Sequence, residues 1–178
     1  MKSSTKVAVA GVFSAMYIVL MFVGGLLSVT TYAIPMILGV FSYCIFKTFG
    51  AKTAFFIYAA VSILSVLLLS NKECALMFAL NFGYYPLLKN ALDKLRPKAL
   101  QWLVKLLIFN ISVAAIEAIC VYLFHIPFFE NERFSLAFLI AYALLMNVVF
   151  VLFDLFLGVF IKIYELRLEG KIKKLFKY

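Results

Sequence analysis

Charge is scarce in this chain, and recognisable catalytic chemistry is scarcer. Asp, Glu, Lys and Arg make up 14% of its 178 residues while 66% are hydrophobic, against about 25% and 45–50% in an ordinary soluble domain. That balance excludes a water-soluble globule, which would have to expose apolar patches far beyond the roughly few hundred Å² that soluble monomers tolerate. A single histidine, His125, and the lack of any His-Glu-x-x-His or paired Cys/His spacing leave no metal site to predict. Gly170-Lys171 is followed by Ile172 and has no upstream glycine partner, so there is no P-loop and this chain does not itself hydrolyse ATP. No Gly-x-Ser-x-Gly elbow occurs either. Neither a cofactor nor an enzymatic activity is expected. Three cysteines, Cys44, Cys74 and Cys120, lie inside apolar runs and read as small core hydrophobes rather than a disulfide framework.

What is present is hydrocarbon-compatible sequence from end to end, with a mean hydropathy of +1.09. Apolar runs fall at 7–29, 30–46, 53–70, 74–88, 106–124 and 134–161, followed by a basic tail, 162–178. The first run is too long for a signal-peptide core and reads as a spanning helix. The predicted fold is an all-α integral membrane protein, one bundle of six transmembrane helices with both termini cytoplasmic. The second and fourth runs are short, and they reach across only with help from Thr30-Thr31 or by ending in snorkelling Lys47 and Lys89. Counts of five or seven follow if the second run is re-entrant or the last run breaks in two.

The connectors set the orientation. With a cytoplasmic amino terminus, fifteen of the 17 Lys and Arg residues fall on one side, and only Lys72 and Arg133 fall opposite. This asymmetry follows the positive-inside rule, so the net charge of +9 reflects topology and anionic lipid in a cell membrane. A nucleic-acid partner is not expected. The tail spaces its apolar residues helically and extends the last helix along the inner surface. The 89–105 connector carries Trp102 at headgroup level.

Polar groups inside the spans are costly and mark function or pairing. Glu117 lies roughly 10–15 Å deep with no basic residue near it on its own helix. It reads as a ligand-facing carboxylate, or else as a protonated group tying helices together. Asn81, Tyr84 and Tyr85 form an i, i+3, i+4 patch at comparable depth. Asn147 is a further candidate, with a helix–helix hydrogen bond as its alternative. Tyr32, Tyr122 and His125 complete the predicted substrate-binding set, beside Lys72, Glu73, Glu130 and Glu132 in the outer connectors. Asp154 falls near the cytoplasmic face and reads as an interfacial or intersubunit contact. Ala10, Gly11, Ser14 and Ala15 put small residues four apart on the first helix, a face on which another membrane helix can approach closely. Gly24-Gly25 should loosen that helix near its outer end.

A chain near 180 residues, six spans, both termini inside, no ATPase motif and the stretch Gly11-Val12-Phe13-Ser14-Ala15 together resemble the substrate-binding S component of energy-coupling factor (ECF) transporters, where Ala-x-x-x-Ala is usual. The resemblance implies vitamin or micronutrient uptake through an outward-facing pocket. It also implies a separate transmembrane coupling subunit docked on the first helix and two ATPases on further chains. A reading from another class is a six-helix membrane scaffold whose basic loops and tail bind cytoplasmic partners. The topology has its own test: cysteine-accessibility labelling should find the Lys89–Lys105 connector and the tail inside and residues 130–133 outside. The reverse pattern would refute it.

Overall fold

The structure, a computed structural model, describes residues 3–27, 30–126 and 136–170. Their regular elements are all helical. In chain order they are α1 (Ser3–Gly25), α2 (Thr30–Phe49), α3 (Ala51–Leu68) and a broken stretch made of α4 (Lys72–Met77), a π-helical segment (Phe78–Phe82) and α5 (Tyr85–Leu92). Next come α6 (Lys98–Tyr122) and α7 (Leu136–Ile163), which runs on into a second π-helical turn, Tyr164–Leu168. Five helices, α1, α2, α3, α6 and α7, are long and apolar enough to cross a membrane. The break in the last run does not occur, since α7 is continuous, and α2 is likewise one unbroken helix. The predicted span 106–124 starts earlier, at Lys98. Residues 130–133 and the end of the basic tail lie outside the described residues.

The outward faces of the long helices are apolar, with Val19, Phe22, Ile63, Leu67, Leu144, Val148 and Leu152 exposed. A helix beside water would turn a polar face outward, so these faces suit lipid. The buried centre belongs to the broken stretch. Its Met77, Phe82 and Tyr85 enter a core shared with Tyr43 of α2, Phe109 and Ile116 of α6, and Phe150 and Phe153 of α7. Its Cys74, Ala75 and Phe78 enter a second core with Tyr17 and Met21 of α1, Leu38 of α2 and Ile57 and Val61 of α3. All three cysteines are free, and Cys74 and Cys120 are buried.

The break has a sequence cause. Pro86 has no amide proton for the Phe82 carbonyl, and its ring would crowd that oxygen in a straight helix. The ladder slips instead: the Gly83 amide reaches back to the Phe78 carbonyl at 2.8 Å, and the Tyr58 hydroxyl donates to the Ala79 carbonyl at 2.6 Å. α2 approaches this segment closely, because a Cβ at Gly39 would stand 2.5 Å from the Phe82 carbonyl oxygen. Gly24 and Gly25 serve the same purpose, and α1 stays helical through Gly25. Gly24 faces the Ile34 side chain, and a Cβ at Gly25 would lie 3.0 Å from the Cβ of Asn71. Asn71 caps α4 by accepting from the Cys74 amide at 2.9 Å, and its amide donates to the Gly25 carbonyl at 3.3 Å and to Thr31 Oγ1 at 3.1 Å.

At the opposite end sits a buried ionic cluster. Asp154 of α7, 3% exposed, receives Lys89 Nζ at 2.6 Å, Lys105 Nζ at 3.0 Å and the Tyr85 hydroxyl at 2.5 Å. Asp93, after α5, joins the same two lysines at 3.3 Å and 2.5 Å. Lys89 therefore does not snorkel outward, and Asp154 is satisfied within its own chain. This pairing also explains the early start of α6, since Lys105 enters the bundle already neutralised. Nearby, Lys47 Nζ meets Glu165 Oε1 at 2.6 Å and the Tyr43 hydroxyl donates to the same oxygen at 2.9 Å. Removing one member of a buried pair leaves an uncompensated charge and costs about 3–5 kcal/mol. Lys105→Met should therefore lower stability by about that much in denaturant unfolding in micelles. Exposed Lys94→Met should stay within about 0.5 kcal/mol of the parent.

Candidate functional site

Four helices each send one polar side chain to the end of the bundle remote from Asp154. Tyr32 comes from the first turn of α2 and Glu73 from the first turn of α4. Glu117 comes from the later half of α6 and Tyr142 from the first half of α7. They form two hydrogen-bonded pairs whose hydroxyl oxygens approach each other. The Tyr32 hydroxyl donates to the Glu73 carboxylate and lies 3.5 Å from the Tyr142 hydroxyl, which in turn donates to Glu117 Oε1 at 3.4 Å. All four are partly buried.

The electrostatics of this end differ from those of the Asp154 end. Among the described residues neither Glu73 nor Glu117 forms an ion pair. Lys72, next in the chain to Glu73, is turned elsewhere: its Nζ donates to the Val66 carbonyl at 2.9 Å and stands 5.6 Å from the centre of the Phe124 ring. Two carboxylates that each accept from one tyrosine hydroxyl retain acceptor capacity. They suit a cation or a donor-rich group. Among the described residues no set of three His, Cys, Asp or Glu side chains is placed to hold a metal.

Asn81 lies within a turn of the same depth. Tyr84 and Ser112, whose hydroxyl oxygens are 3.2 Å apart, mark a common level on the broken stretch and α6. From there Asn81 lies about 4–5 Å and Glu117 about 7–8 Å toward the Glu73 end, at 1.5 Å per residue. Asn81 is 2% exposed, and among the described residues its Nδ2 has no hydrogen-bond partner. A buried donor without an acceptor is uncommon and costs roughly 1–3 kcal/mol.

The other predicted residues are distributed differently. Tyr84 is engaged with Ser112, and its ring lies edge-on to Tyr58. Tyr85 belongs to the Asp154 cluster. Asn147 makes a reciprocal amide pair with Asn110, at 2.8 and 3.1 Å, joining α6 to α7. Tyr122 is exposed at the end of α6. His125 follows it, exposed, at φ 53, where the Ile126 amide turns back to the Cys120 carbonyl. Sequence reasoning left out Tyr142 and Asn110. A lone tyrosine and a lone asparagine in apolar helices were the available signals, but nothing along the chain pairs Tyr142 with Glu117 or Asn110 with Asn147.

Two grooves run along the sides of the bundle. Ala10, Gly11, Ser14 and Ala15 line one of about 650 Å³ between α1 and α3, together with Ile18, Thr53, Phe56 and Ala60. Another of about 350 Å³, between α2 and α7, is lined wholly by apolar side chains that include Met36, Val40, Leu152 and Phe156. Neither contains a member of the Glu73–Glu117 group. No protein-family model, no curated protein and no solved structure matches this chain.

Proposed function

We propose that the chain is the membrane-embedded substrate-capture subunit of an uptake transporter of the energy-coupling-factor type, and that it takes a small vitamin-like molecule at the Glu73–Tyr32–Tyr142–Glu117 end. The observation that carries this reading is the convergence of two carboxylates from two helices which, among the described residues, no lysine or arginine neutralises. Such groups are too costly in hydrocarbon to be idle, and a cationic or donor-rich ligand would compensate them. In this reading the broken stretch is the fourth of six passes. It joins Tyr32 through Glu73 and reaches Asp154 through Lys89 at the far end. The charge asymmetry of the connectors makes the Asp154 end cytoplasmic, so the candidate site opens outward.

The α1–α3 groove supports the second half of the proposal. Gly11 and Ala15 are exposed, and a Cβ added at Gly11 meets nothing within 4 Å. This face would receive the transmembrane coupling subunit, which two ATPases on separate chains would drive. The scaffold reading requires none of these.

Native mass spectrometry of gently purified protein should find a retained small molecule. For a cationic ligand Glu117→Gln should weaken binding by about 1.5–3 kcal/mol, the scale of a charge-assisted hydrogen bond. Unchanged affinity with lowered thermal stability would make Glu117 structural. Gly11→Leu, which has room to fold, should abolish co-purification with the coupling subunit and leave ligand binding intact. Unchanged association, with no ligand retained, would favour the scaffold.

A further inference from the structure

Five cations lie between Lys89 and Lys105, and the fold divides them into two groups. Lys89 and Lys105 turn inward, 4% and 1% exposed, and are taken up by Asp154 and Asp93. Lys94, Arg96 and Lys98 are exposed, and among the described residues no carboxylate pairs with them. The acid that could have served them is occupied. Asp93, the only acidic residue from Lys89 to Lys105, is held from the protein side by Lys89, Lys105 and Gln101, the last at 2.6 Å. The first turn of α6 adds no acid. Three positive charges within five residues therefore face outward uncompensated.

What lies next to these charges identifies their counterpart. Leu100 and Leu103 on α6 are exposed, and Trp102 is partly buried with Lys105 Nζ 5.2 Å from its ring. A row of cations bordering exposed leucines and an indole matches the boundary between headgroups and acyl chains, where anionic lipid attracts basic segments. An isolated inorganic anion would have no use for the leucines. We propose that the 94–98 connector and the start of α6 form a binding site for an anionic phospholipid, with the phosphate held by Lys94, Arg96 and Lys98 and the acyl chains against Leu100 and Leu103. This site is separate from the candidate substrate site and does not depend on it.

The test is native mass spectrometry of the full chain in neutral detergent, titrated with phosphatidylglycerol, with phosphatidylcholine and with inorganic phosphate. The parent protein should retain phosphatidylglycerol over phosphatidylcholine. The triple variant K94Q/R96Q/K98Q should lose that preference by about tenfold or more, with an unchanged melting temperature because all three side chains are exposed. Equal retention of the two lipids by the parent, or an unaltered preference in a folded triple variant, would overturn the proposal. If the triple variant does not fold, K94Q and R96Q singly decide, each by a partial loss or by none. The pair L100N/L103N should also weaken phosphatidylglycerol retention. If it does not, and millimolar phosphate displaces the lipid from the parent, the site recognises a free anion and the lipid assignment fails.

Discussion

Asp154 is the constraint around which one half of this bundle is arranged. A carboxylate at 3% exposure in an apolar bundle has to be neutralised and hydrogen-bonded at once, and no residue on its own helix does this. Lys89, Lys105 and Tyr85 come from two other helices and fill its acceptor sites. Asp93 balances the second positive charge. α5, α6 and α7 are thereby locked in one register. Without that lock, α5 would be a short helix with a proline in its first turn, joined to the rest of the chain through a π-helical slip.

The far end solves the same problem with different materials. Among the described residues Glu73 and Glu117 are met by tyrosine hydroxyls and not by ammonium groups, so charge compensation there is left open where at the Asp154 end it is closed. One end of the bundle thus has a closed electrostatic arrangement suited to holding helices, and the other has acceptors available to something else. Asn81, buried between these ends with an unmatched donor, lies on the side of the broken stretch nearer the open one.

Close backbone approach permits both arrangements. Gly39 brings α2 against the Phe82 carbonyl, and Gly24 and Gly25 let the starts of α2 and α4 crowd the end of α1. Small residues elsewhere on α1 are not consumed in this way, since Gly11 and Ala15 remain exposed beside the α1–α3 groove. Glycine at Gly39 serves packing within the bundle, while the stripe at Gly11 stays exposed on its side.

The one-dimensional pattern was enough for everything that depends on a sum over neighbours. Solvent, helical class and the approximate extent of the long helices follow from hydropathy, because transfer to hydrocarbon adds up residue by residue. The small-residue spacing on α1 was legible for a related reason, its period being that of a single helix; its exposure was not. Glu117 was legible as a costly residue, but its partner Tyr142, on another helix, was not. Tyr85 looked like a neighbour of Asn81, and the fold gave it to Asp154. Lys89 and Lys105 looked like the ends of spans, and the fold placed them inside. These outcomes were decided only by tertiary structure, because the cost of a buried charge depends on which helix brings the opposite charge within about 3 Å. That depends on the register between helices far apart in sequence, which hydropathy along one chain does not contain.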